Sequence, residues 1–220
     1  TKAEVIWTLI PVLILVAMAI PAARTLVKIE DASGSGLTVK VTGYQWKWQY
    51  EYVDEGVSFF STLARDHNVA RQVGSGVDVK QVDNYLLDVD NPLVVPVDTK
   101  VRVLVTAADV IHNWWVPDFG MKKDAIPGYI NELWFKAEKV GTYRGQCAEL
   151  CGRDHGFMPV VVRVVEQAEY DTWLAAQKAS RQAATQPAIA EPPAPASVAA
   201  TAMLDTPVNT VHAVLVADAE

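Results

Sequence analysis

The stretch LTVKVTGYQWKWQYEY (37–52) is rich in Val, Thr, Trp and Tyr, the residue types that fit a pleated, half-buried surface. Further short runs of β-branched or aromatic residues follow at 93–97, 101–107, 131–137, 141–146 and 159–165. Turn signals separate them: Asp98-Thr99, Pro127-Gly128 and Val140-Gly141. Short strands with no helical pattern of 10–15 residues between them predict a mainly β domain, a sandwich or barrel and not a parallel α/β sheet. Trp46 and Trp48 alternate along the first run, so one of them is expected in the core. Residues 61–83 are polar and contain Gly74-Ser75-Gly76, which reads as a long excursion between strands, with His67 a structural or solvent-facing residue and not a ligand.

Outward from this domain the composition changes on both sides. Residues 5–23 (VIWTLIPVLILVAMAIPAA) carry no charge, and at about 1.5 Å per residue they reach roughly 28 Å, the thickness of a bilayer's hydrocarbon core. Nineteen apolar positions with no polar face predict a transmembrane helix in 1–29, and Pro11 and Pro21 are tolerable there. On the other side, 166–178 reads as a short helix with Tyr170, Trp173 and Leu174 on one face. Residues 178–220 contain 13 Ala and 5 Pro, which reads as a flexible tail holding His212. The 220-residue chain has a net charge of −7, divided as +2 over 1–29, −4 over 30–165 and −5 over 166–220. An acidic chain without clustered Lys and Arg is a poor nucleic-acid binder.

The chemistry lies in QCAELCGRDHGFMP (146–159), where Cys147, Cys151, His155 and Met158 stand within 12 residues. Thiolate, thioether and imidazole together select copper, whereas hard cations want carboxylates. One copper needs only one Cys, so the second suggests thiolates bridging two metal ions. His112, in DVIHNW (109–114), follows the predicted strand 101–107 and is the candidate second imidazole. A disulfide between the cysteines would leave His155 and Met158 unexplained, and a structural zinc site does not recruit a thioether.

These residues resemble subunit II of cytochrome c oxidase. The resemblance rests on CAELCGRDHGFMP (147–159), DVIHNW (109–114), GYQWKWQYEY (43–52), KDAIPG (123–128) and EVIWTLIP (4–11), and it covers residues 1 to about 176. It implies a cupredoxin-like β-barrel outside the membrane, anchored by the second helix of a two-helix anchor, with the first helix absent here. It implies a dinuclear copper centre, CuA, with Cys147 and Cys151 bridging, His112 and His155 capping, and Met158 and the backbone carbonyl of Glu149 completing the ligand sets. The Glu149 side chain would join a magnesium site shared with subunit I. Electrons would enter from cytochrome c at Trp46, with Glu51, Asp90 and Asp109 as acidic docking positions, and Glu4 would stand at the entrance of a proton path.

The implied localisation is a bacterial inner membrane with the copper domain in the periplasm, a mitochondrial inner membrane being the other setting. The resemblance reverses the orientation that two basic residues after the span against one before it would give. Tyr129 stands where family members commonly carry Arg, and no C-x-x-C-H follows residue 158, so a fused haem-c domain is not expected within these 220 residues. The expected role is that of the electron-accepting subunit of a haem–copper oxidase, passing electrons to the subunit that reduces oxygen and moves protons. Two rivals stand beside it: the copper domain of a nitrous-oxide-reductase-like enzyme, and a zinc-stabilised membrane-anchored interaction module.

Overall fold

In the computed structural model, which describes residues 1–185, ten strands form two five-stranded sheets. The strands are β1 (Leu37–Tyr44), β2 (Lys47–Tyr52), β3 (Val57–Ser61), β4 (Leu93–Pro96), β5 (Lys100–Ala107), β6 (His112–Val116), β7 (Met121–Ala125), β8 (Asn131–Lys136), β9 (Gly141–Cys147) and β10 (Pro159–Val165). One sheet has the order β3-β2-β1-β5-β8 and the other β4-β10-β9-β6-β7. Most neighbours are antiparallel, but β1 pairs with β5 and β10 with β4 in parallel. This is the mainly β sandwich that the strand spacing predicts, in the cupredoxin-like form that the resemblance implies.

Alternation builds the core. Leu37, Val39 and Val41 of β1 and Val101, Val103, Val105 and Ala107 of β5 point inward, while their neighbours are half-exposed. Trp48, Tyr50 and Tyr52 of β2 and Trp114 of β6 are fully buried; truncating one such aromatic to Ala costs about 3–5 kcal/mol. In β10 only Arg163 reaches solvent, and it pairs with Glu169 at the start of the last helix.

The sequence pattern differs from the structure in several places. The run 37–52 is a hairpin: β1 and β2 pair antiparallel, with Gln45 and Trp46 in the turn. Trp48 is the core tryptophan, and Trp46 is half-buried because the turn takes it off the strand. The excursion 61–83 contains the helix α2 (Arg65–Ala70), which buries His67 and Ala70. His67 is therefore inside, in a structural place and not among the candidate ligands, and its Nδ1 has no hydrogen-bond partner. Two helices flank the sandwich: α1 (Lys2–Glu30) and α3 (Gln167–Thr185). The latter runs seven residues past the predicted end at 178 and packs Tyr170 and Leu174 inward. The helix α1 is long and apolar enough to cross a membrane, and it buries no residue against the rest. The predicted tail and His212 lie outside the described residues from 186 onward.

Candidate metal centre

The candidate ligands converge at one end of the second sheet because three of them sit where a strand begins or ends. His112 opens β6, Cys147 closes β9 and Met158 immediately precedes β10. Pairing of Trp114 with Cys147 sets β6 beside β9, and the Ala148 amide donates to the Asn113 carbonyl at 3.0 Å where the loop departs. Cys151, four residues on, folds back against the same end.

The resulting cluster is compact. Cys147 Sγ lies 3.9 Å from Cys151 Sγ and 3.9 Å from His112 Nδ1. Cys151 Sγ lies 3.5 Å from His155 Nδ1 and 3.5 Å from Met158 Sδ. The backbone carbonyl of Glu149 faces Cys147 Sγ at 3.3 Å, while the Glu149 side chain is exposed. His112, Met158, Cys147 and Cys151 are almost wholly buried, and His155 is half-buried. The sulfurs are free thiols, nearly twice as far apart as a disulfide bond. His112, Cys147 and Cys151 place their ligand atoms within 4.8 Å of one another. Two sulfurs, an imidazole beside each, and a thioether and a carbonyl each within 3.5 Å of one sulfur form a soft donor set that fits copper.

The groups that hold these ligands in place come largely from the other sheet and from loops. Gln45 Nε2 and Trp46 Nε1 donate to the Cys151 carbonyl at 2.8 and 3.2 Å. Trp48 Nε1 donates to the Met158 carbonyl at 3.3 Å, and its ring meets His112 edge-on. Gly152 adopts φ +115°, a conformation open chiefly to glycine, and a Cβ there would stand 3.0 Å from Gln45 Nε2. Asp109 Oδ1 accepts from His112 Nε2 at 2.9 Å, and its other oxygen accepts the Gln45 amide at 2.7 Å. The Asp109 bond holds a proton on Nε2, so that once Nδ1 gives up the proton it shares with Cys147 its lone pair is free for a metal.

Electrostatics distinguish the two thiols. Burial raises the Cys147 thiol, but hydrogen bonding from His112, the Asn113 amide and the Cys151 thiol bring it below its ordinary value. Burial and the neighbouring Cys147 charge push Cys151 up to about 12. Burial lowers His112, but its hydrogen bonds to Cys147 and Asp109, and their charges, raise it overall. Burial raises Asp109, and the bonds from His112, Gln45 and Val110 bring it down overall.

The remaining expected residues lie outside the cluster. Glu51 pairs with Lys40 at 3.5 Å. Asp90 accepts the Thr62 amide and hydroxyl at 2.7 and 2.9 Å and the Asn91 amide. Glu4 sits in the first turn of α1 beside the Thr1 amine. Tyr129 is exposed. Sequence reading overlooked Gln45 and Gly43 as supports, although a glycine inside a strand marks a close backbone approach.

The family model for the periplasmic domain of cytochrome c oxidase subunit II matches residues 37–165. The chain belongs to the cytochrome c oxidase subunit II family. A probable cytochrome c oxidase subunit 2 of Rickettsia felis is 44% identical over 188 residues, covering 85% of this chain and 56% of the relative. The cytochrome c oxidase subunit 2 of Cereibacter sphaeroides is 44% identical over 179 residues, covering 78% and 59%. The chain thus spans little more than half the length of these family members. The crystal structure of the periplasmic domain of subunit II from Bradyrhizobium japonicum is 46% identical, with a TM-score of 0.60, covering 68% of this chain and 99% of that one. A second structure, 45% identical with a TM-score of 0.55 and covering 68% and 96%, is a mixed disulfide intermediate between a thioredoxin-like protein and subunit II. Membership accounts for the sandwich and implies the CuA copper centre for the donor cluster.

Proposed function

We propose that this chain is the electron-accepting subunit of a cytochrome c oxidase. In this reading Cys147, Cys151, His112, His155, Met158 and the Glu149 carbonyl would hold two coppers, the thiolates as bridging ligands, the imidazoles as capping ligands, and the thioether and carbonyl as the last donors. The observation that carries it is the cluster of two free thiols 3.9 Å apart with an imidazole nitrogen within 3.9 Å of each. When bound, the copper pair supplies one-electron acceptance and release.

The chain's own residues supply route and setting. Trp46 is half-buried, with its indole nitrogen hydrogen-bonded to the Cys151 carbonyl, a short covalent and hydrogen-bonded route from the surface to a ligand residue. Glu51, Asp90 and Asp109 are its acidic docking positions for a basic cytochrome c, where steering raises on-rates roughly 10- to 1,000-fold. The exposed Glu149 carboxylate faces subunit I and shares a magnesium ion with it, and Glu4 stands at the entrance of a proton path that subunit I uses for pumping. The segment 1–29 anchors the chain in the lipid of a bacterial inner membrane, 30–165 is the periplasmic copper domain, and α3 follows it. The family and the apolar α1 support the membrane-anchored periplasmic setting.

The test is metal analysis with visible and electron paramagnetic resonance spectra of the full chain loaded with copper. Two coppers per chain sharing one unpaired electron are expected, and Cys147→Ser should abolish that signal. A colourless, zinc-only protein, or a Cys147→Ser variant with the signal intact, would overturn the reading. Co-purification with a haem-bearing partner separates it from a nitrous-oxide-reductase-like role.

A further inference from the structure

The turn His155–Phe157 carries one ligand and leads to another, yet it is a single 3-10 turn. Its internal support is the Phe157 amide on the Asp154 carbonyl at 2.9 Å and the His155 amide on the Gly152 carbonyl at 3.2 Å. Such short turns have poor hydrogen-bond geometry and open early unless something outside holds them. Gln45 and Trp46 grip the chain only at Cys151, ahead of the turn.

On its other flank stands Arg71, which caps α2 and donates its amide to the His67 carbonyl at 3.0 Å. Its Nε donates to Asn68 Oδ1 at 2.7 Å, which aims the guanidinium. Nη1 lies 3.5 Å from Asp154 Oδ1, and the guanidinium carbon lies 4.1 Å from the centroid of the Phe157 ring. One planar group thus touches the residue before His155 and the last residue of its turn, combining an ion pair with a stacked cation–π contact. Both partners of the ion pair are shielded, with side chains 21% and 18% exposed. The second cation on Asp154, Arg153, is 82% exposed and so adds little. The brace has firm footing: α2 buries His67 and Ala70, and the Ala64 amide donates to the Asp88 carbonyl at 3.0 Å at its base.

We propose that Arg71 is a positioning residue for the metal centre, through which the excursion 61–83 holds the His155–Phe157 turn and sets His155 and Met158 against Cys151. This rests on the copper reading for its consequence but not for its geometry. The test pairs two measurements on the full chain. In the metal-free protein, Arg71→Ala should speed amide exchange at residues 155–157 about tenfold or more while the barrel strands keep their protection. In the copper-loaded protein, the same variant should lose copper to a competing chelator roughly 10- to 100-fold faster, the range for residues that orient metal ligands. Arg71→Lys, which keeps the charge but not the flat stacking surface, should fall between, and Asn68→Ala should shift both readouts the same way by less. Exchange at 155–157 within about twofold of the parent would overturn the brace. Faster exchange with unchanged copper release would overturn its role at the metal. If the parent took up no copper, the copper reading would fall, and the exchange measurement would still decide the brace.

Discussion

Gly43→Ala tests whether the imidazole of His112 is held by the space around it. Gly43 lies in β1 of one sheet, and a Cβ built there would stand 2.8 Å from His112 Cδ2 and 3.0 Å from Cγ in the other. Ordinary carbon contacts begin near 3.5 Å, so the ring must yield by about 0.7 Å. It has little room to do so: His112 is fully buried, Trp48 packs against it, and its Nε2 is bonded to Asp109. Overpacking of this kind costs roughly 1–3 kcal/mol, which at about 2–4 °C per kcal/mol lowers the melting temperature by roughly 2–12 °C. Metal–ligand distances tolerate only about 0.2 Å, so copper affinity should fall about tenfold or more, the equivalent of 1.4 kcal/mol. Thermal melts and copper titration monitored by absorbance read both effects. Gly141→Ala is the control, because its Cβ would meet Tyr143 at an ordinary 3.8 Å, and it should change neither. A Gly43→Ala protein that melts within about a degree of the parent and binds copper equally well would refute the packing argument.

Three further outcomes are expected. Asp109→Asn removes the charge-assisted bond to His112 Nε2 and should lower copper affinity about tenfold; a slower, salt-sensitive reaction with cytochrome c and an unchanged copper spectrum would show that Asp109 serves docking alone. In the metal-free protein, ultraviolet thiolate absorbance should rise in two steps. One thiol ionises below its ordinary value and the other is held off to about 12, and a single two-thiol step would contradict the coupled pair. Met158→Leu conserves volume in a fully buried position, so stability should change by less than about 1.5 kcal/mol while the reduction potential moves. An unchanged potential would remove the thioether from the ligand set.

The donor cluster was legible because its chemistry is local: four of its side chains lie within 147–158, and their types alone exclude hard cations. Strands β1, β5 and β10 were legible for a similar reason, since each is a run of β-branched residues. The pattern failed where burial does not follow composition. In β7, Met121–Ala125, two lysines and an aspartate occupy a strand at the sheet edge. In β6, His112 and Asn113 are buried polar residues at a strand start, so the segment read as a loop. The helix α2 was not legible because its six residues are too few to show a helical period.

What supports the cluster could not be read this way, because it is distant in sequence. Gln45 and Cys151 are 106 residues apart, and Trp48 and Met158 are 110 apart. The donors sit on one sheet and much of their support on the other, so closing the sandwich is the step that orients them. A hinge between the sheets would let His112 and Cys151 drift relative to Gly43, Gln45 and Trp46, whereas a closed core transmits strain and resists it. The same closure that buries Trp48, Tyr50 and Trp114 therefore limits how far the ligands can move when charge at the centre changes. Under the proposed function, that restraint suits a site that would accept and release an electron without rearranging.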